Sequence, residues 1–71
     1  MKEQITLSLQ ALFESMRDRH LTNATILMEK GVGVAEHPDI LGTIEEELGR
    51  AAEYQDKLEM LSRVKDNIPR I

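Results

Sequence analysis

Two histidines, a run of three glutamates and a glycine-flanked loop are the groups in this chain whose types could do chemistry. His20 stands midway along an apolar stripe, where an imidazole could serve as a pH switch, a metal ligand or a general base. Polar residues in a helix seam more often specify register than catalyse. The residues therefore favour a core or interface histidine bonded across a bundle, with Asn23 beside it and Gln55 opposite. His20 and Asn23 meeting their symmetry mates would form a small polar layer. His37 precedes Pro38 between Glu36 and Asp39, so a metal or anion site at that tip can be drawn. Only one imidazole and two carboxylates converge there, and this reads better as a local cap and turn.

Glu45, Glu46 and Glu47, followed by Glu53, Asp56 and Glu59, have the acidity of the carboxylate metal clusters held inside helix bundles. Those clusters use inward-pointing Glu-x-x-His pairs, and this sequence contains none. A solvated acidic face is expected instead, with Glu45 and Glu59 nearest the seam. Gly31-Val32-Gly33 lacks the Lys and Ser/Thr that complete a phosphate-binding loop. No catalytic residue, metal or cofactor is expected, and the chain reads as non-enzymatic.

The elements that must position these groups are two long helices. Ile5, Leu9, Leu12, Phe13, Met16, His20, Ala24 and Leu27 fall on one side of a helix and predict α-helix over about 5–30. Gly31 supplies a stop, with Lys30 in the last turn, where a cation complements the helix dipole. Pro38 is suited to open a second helix, with Asp39 at its positive end, running over about 38–65. Leu41, Ile44, Leu48, Ala51, Gln55, Leu58 and Ser62 recur at alternating steps of three and four, a coiled-coil seam that Ile40, Tyr54 and Leu61 widen on one side. Glu46/Arg50, Glu53/Lys57 and Glu59/Arg63 are i,i+4 pairs of favourable order on the outer face. The tail 66–71 should fray, because Pro69 cannot continue a helix.

A loop of residues 31–37 returns the second helix antiparallel, so the fold class expected is an all-α two-helix hairpin forming a single domain. Counting outward from the loop brings Leu27 near Leu41 and Ile44, His20 near Leu48 and Ala51, Phe13 and Met16 near Ala51 and Gln55, and Leu9 near Leu58. Val32 and Val34 are apolar in a loop expected to be polar; with His37 they mark either a plug for the open end or a docking tip. Gly42 and Gly49 each cost up to about 1 kcal/mol in a helix relative to alanine. Gly49-x-x-Ala52 would give a narrow flank that another helix could approach.

With 71 residues the chain is small for a free-standing core, and its lack of cysteine excludes disulfides and suits a reducing compartment such as the cytoplasm. Thirteen acidic against nine basic residues give a net charge of −4 without a basic stripe, which disfavours direct nucleic-acid binding. One Tyr, one Phe and no Trp leave few aromatic platforms for stacking bases. No apolar run is long enough to span a membrane and no secretion signal is present, so a membrane role is not expected. Leu7, Leu21, Ile26 and Met28 are apolar beyond the seam, more than one hairpin can hide. A homodimer completing a four-helix bundle would cover them. The interface expected with a second chain or a protein partner comprises Leu9, Phe13, Met16, His20, Asn23, Leu27, Leu48, Ala51, Gln55 and Leu58.

The run from Gly31 to Ile40, followed by Ile44-Glu45-Glu46-Glu47-Leu48 and Asp56-Lys57-Leu58-Glu59-Met60-Leu61, resembles small helical proteins of T4-like tailed bacteriophages, cyanophages included. The likeness covers roughly residues 30 to 61. It implies a structural motif of glycine hinge, proline-opened helix and seam, with no catalytic residues to carry over. It also implies a phage accessory protein that mediates protein–protein contact, or an accessory factor for phage DNA recombination and repair acting through a helicase partner.

Overall fold

The computed structural model describes residues 1–31 and 39–67, and these form two helices, α1 (Lys2–Gly31) and α2 (Ile40–Asn67). They pack side by side as an antiparallel hairpin measuring 55 × 17 × 11 Å. α1 starts earlier than the apolar pattern indicates, because Met1 already accepts a bond from the Ile5 amide at 3.0 Å and Thr6 Oγ1 bonds back to the Lys2 carbonyl. α2 continues through Asp66 and Asn67, so these two residues belong to the helix and not to a tail. The expectations for Val32, Val34, His37 and Pro38, and for the chain beyond Asn67, fall outside the described residues.

At the start of α2 the Asp39 carbonyl accepts both the Thr43 amide and the Thr43 hydroxyl, each at 3.0 Å, which makes Asp39 the capping residue. Its carboxylate lies over Gly42: a Cβ built there would stand 2.6 Å from Asp39 Oδ1. Gly42 thus has a local reason, the space that the capping side chain occupies. Gly49 has no such reason, since a Cβ there would meet nothing within 4 Å.

In α1 the side facing α2 carries Leu9, Phe13, Met16, His20, Asn23 and Leu27, all half-buried, at steps of four and three. Ile5 and Leu12, expected on this stripe, remain about half exposed at its margin. In α2 the facing series is Ile40, Ile44, Glu47, Ala51, Tyr54, Leu58 and Leu61. This corrects the expected seam: Ile44, Ala51 and Leu58 keep their places, while Leu41, Leu48, Gln55 and Ser62 turn to the exposed flank and Ile40, Glu47, Tyr54 and Leu61 replace them. Leu41 is 78% exposed and Leu48 43%. The register along the axis is nevertheless the expected one, as the cross-helix pairs His20–Glu47, Phe13–Tyr54 and Arg17–Gln55 show.

Only Ala24 and Ala51 are fully buried among the described residues, at 2% and 4% exposure. Small side chains at these points let the two backbones approach, and larger neighbours then close over them from the sides. Of the three expected i,i+4 pairs, Glu46–Arg50 is closed at 3.0 Å, whereas Lys57 turns inward over aromatic rings. Thr6, Ser15 and Thr25 bond back to carbonyls of their own helix and contribute nothing across the hairpin.

Two substitution series follow from this packing. Gly49→Ala is expected to raise the unfolding free energy by about 0.5–1 kcal/mol, the helix-propensity difference, while Gly42→Ala gains much less because it displaces the Asp39 cap. Ala24→Leu or Ala51→Leu is expected to cost about 1–3 kcal/mol by wedging the helices apart. Urea denaturation followed by circular dichroism at one fixed protein concentration measures both.

Candidate functional site

The midpoint of the hairpin is a layer of polar and aromatic side chains inserted into an otherwise aliphatic seam. His20 projects from α1 and Glu47 from α2, and the His20 Nδ1 to Glu47 Oε2 distance is 2.6 Å. Asn23, one turn along α1, donates its amide Nδ2–H to the same oxygen at 3.3 Å. A carboxylate can only accept, so Nδ1 of His20 carries the proton in this contact. The His20 and Glu47 side chains are 12% and 20% exposed, so the pair is largely shielded from water.

Hydrogen bonding from His20, aided by Asn23 and by the positive charge of Arg50, holds the Glu47 carboxyl below its ordinary value against the opposing pull of desolvation. Tyr54 backs the layer. Its ring lies nearly parallel to that of His20, with centroids 6.1 Å apart, and tilted against Phe13 at 6.2 Å. Lys57 Nζ sits 4.7 Å from the Tyr54 centroid and 6.0 Å from that of Phe13, a cation over two ring faces at the rim. On the opposite rim Arg17 joins its neighbour Asp18 through Nε and donates Nη1–H to Gln55 Oε1, both at 2.9 Å.

His20 and Asn23 are thus bonded across the hairpin as expected, but to Glu47 and within one chain. Gln55 partners Arg17 instead. Glu47 is the residue that the sequence reading placed on the solvated face, while Glu45 and Glu59, expected nearest the seam, are exposed. One signal could have found it: Ile40, Glu47, Tyr54 and Leu61 are spaced by seven, three of them large apolar or aromatic residues. Leu9, Phe13, Met16, Leu27, Ala51 and Leu58 all lie in the seam between α1 and α2, whereas Leu48 stands outside it on the exposed flank.

Among the described residues no group of three metal-ligating side chains converges, and no helix is long and apolar enough to cross a membrane. The described clefts along the hairpin are open grooves beside the helices. Every buried side-chain nitrogen and oxygen described has a hydrogen-bond partner. The arrangement is suited to fixing how two helices meet, since a carboxylate in the seam is tolerated only where His20 and Asn23 stand to donate to it. No family model, curated protein or solved structure matches the chain.

The lowered Glu47 value carries a pH dependence. The fold holds this carboxylate ionised to lower pH than an unfolded chain would, so its stabilising contribution is whole above the ordinary glutamate value of ~4.3. It is lost as pH falls through the lower value of the folded state. Glu47→Gln is expected to flatten this part of the acid limb relative to the parent chain. Equal acid limbs in urea titrations between neutral and strongly acidic pH would show that Glu47 has no part in the stability of the hairpin.

Proposed function

We propose that this chain is a non-enzymatic helical hairpin that self-associates as a homodimer, completing a four-helix bundle, and mediates protein–protein contact. The observation that carries the reading is uncovered apolar surface. Leu7, Leu12, Leu21, Ile26, Met28, Leu41, Leu48, Met60 and Val64 are all exposed large hydrophobic residues on a hairpin in which, among the described residues, only two alanines are buried.

The area supports the same reading. A compact monomer of 8.1 kDa exposes roughly 4,500 Å², whereas this chain exposes 5708 Å². The surplus, on the order of 1,200 Å², compares with about 800 Å² buried per partner in a stable complex of standard size. Two helices share one mutual interface, and a second copy would cover the remainder. The likeness to small phage proteins adds an accessory role in the cytoplasm of the host.

Sedimentation equilibrium or light scattering at micromolar concentration is expected to give twice the 8.1 kDa chain mass. A sharp monomer persisting up to hundreds of micromolar would overturn self-association.

A further inference from the structure

We infer that α2 has two ways of seating on α1, related by a turn about its own axis, and that the His20–Glu47–Asn23 layer is the latch that selects one of them. This stands apart from the self-association proposed above, because both seatings are states of a single hairpin. α2 carries two overlapping faces. In the one turned toward α1, Ile40, Glu47, Tyr54 and Leu61 alternate with Ile44, Ala51 and Leu58. In the other, Leu41, Leu48, Gln55 and Ser62 alternate with the same three residues. Passing between them needs a turn of α2 by about half of the ~100° that separates consecutive residues of a helix. No backbone bond within the helix breaks, and no sliding along the axis is required.

The second face already borders α1. Leu48 and Gln55 line a shallow cleft with Arg17 and Leu21, and Gln55 Oε1 accepts a hydrogen bond from Arg17 at 2.9 Å. Ala51, buried against α1, belongs to both faces, so the close approach at that point survives the turn. In the register set by His20–Glu47 and Phe13–Tyr54, the turn exchanges Glu47 for Leu48 opposite His20, Tyr54 for Gln55 opposite Phe13, and Ile40 for Leu41 opposite Leu27.

The faces differ less in apolar content than in what they ask of α1. Beyond the shared three residues each supplies two aliphatic side chains; the first adds a tyrosine and a carboxylate, the second a neutral amide and a hydroxyl. A carboxylate held in the seam must be given donors, and removing them leaves a shielded charge unpaired, which is strongly destabilising. Here His20 Nδ1 at 2.6 Å and Asn23 Nδ2 at 3.3 Å supply both. Without them the first seating is penalised, while the second places Glu47 in water and Leu48 in the seam. A change that takes the donors from Glu47 therefore turns α2.

The chain has one Tyr and one Phe, so the packing of Tyr54 against Phe13, with centroids 6.2 Å apart, reports the seating. The parent chain is expected to show a nuclear Overhauser cross-peak between the two rings. His20→Leu combined with Asn23→Leu is expected to keep the helical circular dichroism, to lose that cross-peak and to gain one between the Phe13 ring and the Gln55 side-chain amide. A merely loosened hairpin would lose the first and gain none. Adding Glu47→Leu to the pair is expected to restore the Phe13–Tyr54 cross-peak, because the carboxylate that drives the turn is gone. If the double variant loses its helical signal, Glu47→Lys takes its place, since an ammonium opposite His20 offers no acceptor and turns outward. A folded variant of either kind that keeps the Phe13–Tyr54 cross-peak, or loses it without gaining the one to Gln55, overturns the latch. Loss of the fold in both variants overturns it as well, because α2 then has no second seating to adopt.

Discussion

The approach of α1 to α2 at Ala24 and Ala51 is the constraint from which the rest of the hairpin follows. Methyl groups at these two points allow the backbones to approach, and there the helices exclude nearly all water. The larger seam residues close over these points from the sides. Leu9, Phe13, Met16, Leu27, Ile40, Ile44, Leu58 and Leu61 are accordingly half-buried. Each gives up part of its apolar area to the partner helix and keeps part facing outward. A pair of helices offers no third layer to cover that outward part.

Within this narrow seam, the His20–Glu47–Asn23 layer has a different task from the aliphatic residues around it. Exchanging water for a neighbouring histidine and amide gives a carboxylate little net stabilisation, but it penalises misalignment heavily. Sliding α2 by one heptad along α1 would leave Glu47 beside Phe13 or Leu27 without a donor. Turning it about its axis would place Glu47 in solvent and leave His20 and Asn23 facing leucine. The ring of Tyr54, lying between Phe13 and His20, ties the polar layer to the aliphatic part of the seam. Lys57 and Arg17 close the two rims with contacts that remain accessible to water.

Orientation and outward stickiness therefore share one origin. The rotation of α2 that brings Glu47 inward carries Leu41 and Leu48 out to the flank, level with Met28 and Leu21 of α1. Glu47 enters the seam with Ile40, Tyr54 and Leu61, and Gln55 and Ser62 leave it with the two leucines, so the two rotations bury comparable apolar area. The leucines carried outward belong to the exposed apolar surface on which the proposed self-association rests.

The two helices and the all-α hairpin were readable from the residues, because an apolar repeat with a period near 3.6 and a glycine–proline interruption leave one economical arrangement. The register was readable as well, since a short loop and two seams of similar length align in only one way. Which face of α2 turns inward was not. The series through Leu41, Leu48, Gln55 and Ser62 and the series through Ile40, Glu47, Tyr54 and Leu61 share Ile44, Ala51 and Leu58, and hydropathy does not separate them. The second prevails because His20 and Asn23 on the other helix supply donors for a carboxylate, and Phe13 supplies a ring for Tyr54. Those are contacts between residues more than twenty positions apart in the chain, and the seven-residue spacing of Ile40, Glu47, Tyr54 and Leu61 marks the face without naming these partners. Sequence alone thus determined that this chain is a pair of helices with apolar area to spare, and tertiary structure decided which side chains are spared, because only the facing helix determines which rotation leaves no buried charge without a partner.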